Sequence, residues 1–218
     1  AAGTRDGAFT TLLVSAARAG ALIDDPRIAA VTLTGSEAAG RDVGARAGGA
    51  IKPCVLELGG SDPFIVLARA DVDAAAATAV RARCINNGQS CIAAKRFIVH
   101  EAVYDAFAER FAAAMRALRL GDPLDEATDI GPLATASIRR EVDDQVRRTV
   151  AAGARVVTGG IMPQGNGNYY APTVLADVPR DSAAAREEIF GPVVTLFRVA
   201  SADEALALAN DTSFGLGA

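Results

Sequence analysis

Histidine, lysine and tryptophan are close to missing from this 218-residue chain, which holds one histidine (His100), two lysines (Lys52 and Lys95) and no tryptophan. With one histidine, a Ser-His-Asp or Cys-His catalytic pair has only His100 to use. That residue closes the run Phe97-Ile98-Val99-His100 at a helix entrance, where a surface polar group is expected. The same shortage excludes a zinc site of mixed His and Cys ligands. Cysteine is scarce as well: Cys54, Cys84 and Cys91 are odd in number and lack metal-ligand spacing, so no metal is expected. They fit a reducing cytoplasm better than a disulfide scaffold. No apolar run approaches the roughly 20 residues that span a bilayer, and no basic-then-apolar leader opens the chain. A membrane partner is therefore not expected. Neither Gly-x-x-x-x-Gly-Lys-[Ser/Thr] nor Gly-x-Gly-x-x-Gly occurs. The formal net charge of −4 argues against nucleic acid as a partner.

What is present is an α/β rhythm with half of its residues hydrophobic, enough for one large domain or a domain plus part of another. Thr10–Leu13 reads as a short strand, Ser15–Leu22 as a helix, and Ala29–Thr34 as a buried strand rich in β-branched residues. Gly35-Ser36 opens a helix running to about Ala47, with Ser36 as its N-cap. Val55–Leu58 is the next strand, closed by Gly59-Gly60. The pattern continues with a strand at Phe64–Leu67, a helix at Val72–Arg83 and a polar turn at Asn86–Cys91. A strand at Phe97–Val99 and an amphipathic helix at Ala102–Leu118 follow. Ile130-Gly131-Pro132 lies in a long connection before a helix at Ile138–Ala152. Strands at Arg155–Thr158 and Val193–Val199 and a helix at Ala202–Asn210 complete the set. Such alternation predicts a parallel sheet covered by helices. A polar, glycine-bearing start and a closing loop, Phe214-Gly215-Leu216-Gly217-Ala218, read as a piece of a longer protein.

One cysteine stands in an unusual setting. Cys91 ends Asn86-Asn87-Gly88-Gln89-Ser90-Cys91, a run of amides, glycine and serine, before the chain turns apolar. A thiol at such a turn, near backbone N–H groups, is favoured as thiolate and can sit beside an oxyanion. Cys84, within a helix, and Cys54, beside Pro53, are expected to be inert. With histidine scarce, the base for the thiol is sought among carboxylates. Glu57, in Val55-Leu56-Glu57-Leu58-Gly59-Gly60, has apolar neighbours on both sides, which predicts burial and a carboxyl raised toward a working base. An outward-facing strand residue is the plainer alternative. Glu187-Glu188-Ile189-Phe190-Gly191-Pro192 is, taken alone, a charged helix end before a Gly-Pro break.

Taken in order, Thr34-Gly35-Ser36, Glu57-Leu58-Gly59-Gly60, Asn86 to Cys91 and Glu187 to Pro192 resemble the signature set of the aldehyde dehydrogenase superfamily. The spacings agree, with 91 − 57 = 34 and 188 − 91 = 97. Leu58-Gly59-Gly60-Ser61-Asp62-Pro63-Phe64 and Gly88 to Phe97 are most similar to succinate-semialdehyde dehydrogenase-like members. The resemblance implies residues 1–58 as the end of a Rossmann-type NAD(P)-binding domain and 59–218 as an incomplete catalytic domain. It implies Cys91 attacking an aldehyde to give a thiohemiacetal and then a thioester, with Glu57 activating the cysteine or the hydrolytic water. It further implies NAD or NADP as cofactor, with Gly35, Ser36, Leu58, Glu188 and Phe190 along it. A homodimer or homotetramer of the full-length protein is implied too. Ile85 stands where some succinate-semialdehyde enzymes carry a carboxylate-binding arginine, and no second cysteine follows Cys91 by two residues. A CoA-acylating or phosphorylating relative, or a non-catalytic homologue, remains an alternative at this point.

Overall fold

Serine, threonine and aspartate residues set where the helices begin. In the computed structural model, which describes Gly3 and residues 5–217, Ser36, Asp71, Thr135 and Ser201 each accept a backbone N–H of a first helical turn through a side-chain oxygen. His100 does the same through Nδ1, accepting from the N–H of Ala102 at 3.1 Å. That is a capping role, in keeping with the surface position the sequence suggests.

The chain divides into two compact units, Ala1–Gly59 and Gly60–Ala218. The first holds α1 (Ala16–Asp24), β1 (Val31–Thr34), α2 (Glu37–Gly49) and β2 (Cys54–Glu57). The two strands are parallel, with Val31 opposite Cys54 and Thr34 opposite Glu57. Strand period 2 then sets Val31, Leu33, Cys54 and Leu56 on one face, and Thr32, Thr34, Val55 and Glu57 on the other. α2 lies over the first face, where Gly44 approaches Leu56 and Gly40 is pressed against the Leu58 side chain. The second face is exposed.

Two expectations change here. Thr10–Leu13 forms no strand, because it finds no neighbour to pair with among the described residues, and Leu13 is 98% exposed. Ala29–Thr34 is not a buried strand but one that alternates between half-buried and exposed, since only one of its faces carries a helix.

The second unit holds β3 (Asp62–Val66), α3 (Val72–Cys84), β4 (Ala94–His100), α4 (Glu101–Ala117), α5 (Ala136–Ala151), β5 (Arg155–Thr158), β6 (Thr173–Ala176), α6 (Ala183–Arg186), β7 (Val193–Val199) and α7 (Ala202–Asn210). Its five-stranded sheet runs β3-β4-β7-β6-β5. The sheet is parallel, as predicted, across β3, β4, β7 and β6, and only at its edge does β5 join antiparallel to β6. The connection from β5 to β6 returns along the same edge without a crossover helix, which only an antiparallel pair permits. β6 and the short α6 carry no periodic pattern in the sequence.

Helices cover both faces. On one, Phe97 of β4 packs with Phe107, Phe111 and Met115 of α4, with Phe97 and Phe111 centroids 4.8 Å apart. On the other, Ile98, Leu175 and Phe197 meet Val142 and Val146 of α5 and Leu208 of α7. Each fully buried side chain of this kind contributes roughly 1.5–3 kcal/mol. Being buried on both sides makes β4 read as one apolar run, interrupted only by Lys95 and Arg96. Arg96 gives its protons to the carbonyls of Ser61, Leu208 and Ala209, two of them at the end of α7, where a cation is favoured.

Candidate active site

β3, β4 and β7 are adjacent and parallel, so the loops entering them lie side by side at one edge of the sheet. Gly60 precedes β3, Cys91 precedes β4 and Glu188 precedes β7. Residues 31 and 97 positions apart in sequence are thereby brought together.

The turn that carries Cys91 is built by three successive left-handed residues, Asn86 (φ 49°), Asn87 (φ 58°) and Gly88 (φ 76°). Asparagine and glycine are the residue types that reach this region at least cost. Gly88 has a second reason, because a Cβ there would overlap the carbonyl of Gly191. The amides then tie the turn outward. Asn87 Oδ1 accepts from the N–H of Gly131 at 2.9 Å, and Gln89 Oε1 accepts from Ala134 at 2.8 Å. Asn86 Nδ2 donates to the carbonyl of Gln89 at 2.9 Å. Cys91 follows in the tight turn closed by Ala93 N–H to Ser90 carbonyl, and is partly exposed. Among the described residues, the backbone N–H of Cys91 meets no acceptor.

Two buried cations join this turn to the Glu188 loop. Arg83, fully buried at the end of α3, donates to the carbonyls of Ala94 (3.1 Å), Ile189 (2.8 Å) and Gly191. Burial brings its guanidinium down to about 10, still protonated at neutral pH. Lys95 reaches the carbonyls of Ser90 (3.1 Å), Cys91 (3.0 Å) and Ala93 (3.1 Å), and Glu188 Oε1 at 3.3 Å. Burial, and after it the nearby Arg83, hold the ammonium below its ordinary value, against the pull of Glu188. Glu188 Oε1 also accepts the N–H of Gly60 at 3.2 Å. Gly60 itself lies against the carbonyl of Cys91, where a Cβ would come within 2.8 Å. Glu187 points elsewhere: it pairs with Arg148 through both oxygens, which holds its carboxyl below the ordinary range. Phe190 is half-buried beside the buried Ile189.

Cys91, Glu188 and Phe190 thus share one loop cluster in the second unit. Gly35, Ser36, Glu57 and Leu58 belong to the first. Gly35 and Ser36 are exposed at the start of α2, and Gly35 N–H donates to the carbonyl of Glu57 at 3.0 Å. Glu57 corrects an expectation. Its apolar neighbours predict a buried carboxylate, but the residue is exposed, because its side of β2 is the face that α2 does not cover. Burial therefore supplies no argument for its basicity. Cys84 behaves as expected of an inert thiol: it lies 3.7 Å from the Met115 sulfur, and burial pushes it up to about 11. Arg83 and Lys95 were not singled out by sequence, although for Lys95 the pair Lys95-Arg96 inside the apolar strand run Ala93-Ala94-Lys95-Arg96-Phe97 is a signal that buried charge has partners. No group of three or more His, Cys, Asp or Glu side chains suited to a metal occurs among the described residues. Nor is any described helix long and apolar enough to cross a membrane.

Residues 1–218 match the family model described as the aldehyde dehydrogenase family. The chain belongs to that family. Among curated aldehyde dehydrogenase relatives it is 58% identical over 215 residues to succinate-semialdehyde dehydrogenase [NADP(+)] 1 of Mycobacterium tuberculosis (strain ATCC 25618 / H37Rv), covering 99% of this chain and 47% of that protein. It is similar to the crystal structure of succinate-semialdehyde dehydrogenase from Burkholderia pseudomallei, with TM-score 0.86 and 41% identity, over 90% of this chain and 41% of that one. Lactaldehyde dehydrogenase from Escherichia coli aligns with TM-score 0.88 and 39% identity over 91% and 42% of the respective chains. The chain spans about half the length of the curated relatives it matches.

Proposed function

We propose that this chain carries the thiol centre of an enzyme that oxidises an aldehyde to a carboxylate with NADP or NAD as hydride acceptor. Succinate semialdehyde is the first substrate to test, because the relatives at 58% identity carry that name together with NADP(+). Ile85 tempers the choice of acid, since it stands where some such enzymes place an arginine; it is 52% exposed. The observation that carries the reading is the partly exposed Cys91 in a turn braced by Arg83, Asn87 and Lys95.

In this reading the Cys91 sulfur attacks the aldehyde carbon, giving a thiohemiacetal whose oxyanion takes the Cys91 backbone N–H. Loss of hydride leaves a thioester on the same sulfur, and water releases the acid. Glu57 is assigned as the base on its motif position, for the cysteine or for the water. The nucleotide supplies one thing, a place for the hydride to go. The residues suit it: α2 presents first-turn N–H groups to an anion at Gly35-Ser36, with Leu58 nearby in the same unit. In the second unit, Glu188 is a carboxylate able to accept ribose hydroxyls, with Phe190 two residues on. By the same motif correspondence, residues 1–58 end a dinucleotide-binding domain and residues 59–218 form the thiol domain. A homodimer or homotetramer and an aldehyde partner go with that assignment.

The test is a panel of aldehydes assayed with NADP and with NAD in the protein that carries this sequence. Cys91→Ala is expected to abolish turnover, and Glu57→Gln to lower it by about 10²-fold or more. Near-normal turnover of Cys91→Ala overturns the reading, and near-normal turnover of Glu57→Gln overturns the assignment of the base. Dependence on CoA or phosphate would move the enzyme to an acylating or phosphorylating class.

A further inference from the structure

Lys95 has three protons to give and four oxygens in position to take them. Its Nζ lies 3.0–3.1 Å from the carbonyls of Ser90, Cys91 and Ala93 and 3.3 Å from Glu188 Oε1, and its side chain is 4% exposed. An ammonium serves three acceptors fully, so one of the four must share. Three belong to the turn of the nucleophile. The fourth belongs to the loop before β7. Glu188 Oε1 has a second donor in the Gly60 N–H at 3.2 Å, so its carboxylate is not bound to Lys95 alone. A buried cation needs every proton placed. Drawing the Glu188 carboxylate toward another donor therefore commits the ammonium wholly to the carbonyls around Cys91.

We propose that Lys95 is a positioning residue that couples occupation of Glu188 by nucleotide ribose hydroxyls to the geometry of the Cys91 turn. The proposal rests on the reading of Cys91 and Glu188 given above. The coupling is reciprocal, so a change at Cys91 alters nucleotide affinity by the same factor. Arg83 spans the same two loops but touches neither the Cys91 carbonyl nor the Glu188 carboxylate among its hydrogen bonds, so it braces the junction without linking those two groups.

The experiment measures alkylation of Cys91 by iodoacetamide, by peptide mapping, in the protein that carries this sequence. It is run with and without ADP-ribose or its 2′-phosphate. These probes keep the ribose hydroxyls and lack the nicotinamide ring, so the thiol is not simply shielded by that ring. The probe is expected to change the rate by about fivefold or more, in the range of ordinary coupling between sites. Lys95→Met is expected to bring that ratio to about one while the probe still binds by calorimetry, and Lys95→Arg to recover part of it. Glu188→Gln is expected to bring the ratio toward one as well, with the double variant no further changed. An unchanged ratio in Lys95→Met with probe bound overturns the coupling and leaves the reading of the site intact. Should that variant not fold, an unchanged ratio in Glu188→Gln overturns it instead. If neither probe binds the native protein, or Cys91 does not react, the reading of the site fails and the coupling with it.

Discussion

Cys84 and Cys91 flank the same turn, yet their surroundings differ. Cys84 closes α3 against Met115, and burial lifts its thiol to about 11, so little of it is thiolate at neutral pH. Cys91 lies in an open turn and is partly exposed. At pH 8, iodoacetamide is therefore expected to modify Cys91 at least about tenfold faster than Cys84. Time-resolved peptide mapping checks this, and equal rates would remove the distinction. The contrast between the two was legible in sequence, because amides, glycine and serine announce a turn whereas Ala82-Arg83-Cys84 continues a helix. Glu57 was not legible in the same way. Apolar neighbours along a strand say nothing about whether a layer covers each face, and the face of β2 that carries Glu57 is exposed. The two buried cations were also missed. A charge within an apolar run signals partners without naming them: Arg83 reaches the carbonyls of Ile189 and Gly191, more than 100 residues away, and Lys95 joins nearby turn carbonyls to the distant Glu188 carboxylate.

Among elements, the left-handed Asn86-Asn87-Gly88 segment and the loop before β7 lock together at one point. Gly88 has a positive φ of 76°, and a Cβ there would overlap the Gly191 carbonyl that Arg83 also binds. Gly88→Ala is expected to cost about 2 kcal/mol or more, from left-handed backbone strain and overlap together. Urea denaturation measures it, and a variant as stable as the native protein contradicts the described contact. Turnover should fall with it, since the same turn carries Cys91. Helices were readable from local signals: α2 from its N-cap Ser36, and the long α4 from its amphipathic period. β6 and α6 were not. Each is four residues long and almost wholly buried, too short and too uniform to show a period. Thr10–Leu13 erred the other way, since a β-prone run becomes a strand only beside a partner.

For the molecule as a whole, the raised Cys84 thiol makes a statement about stability and pH. Its ordinary value of 9.0 rises to about 11 on folding. Between these values the unfolded chain has released a proton that the folded chain keeps, so stability falls as pH rises through that window. The loss amounts to about 2–3 kcal/mol at the upper end. Denaturation between pH 8 and 11 should show a steeper decline in the native protein than in Cys84→Ala; parallel slopes would contradict it. The choice of α/β class and the order of the four motifs were determined by the sequence alone, because capping, strand period and turn chemistry are local. Which loops meet, which face of a sheet is covered and that the edge strand β5 runs antiparallel were decided only by the tertiary structure. The reason is that burial, strand order and long-range hydrogen bonding are properties of neighbours in space, and Lys95 gains its role from carbonyls and a carboxylate that the chain assembles only on folding.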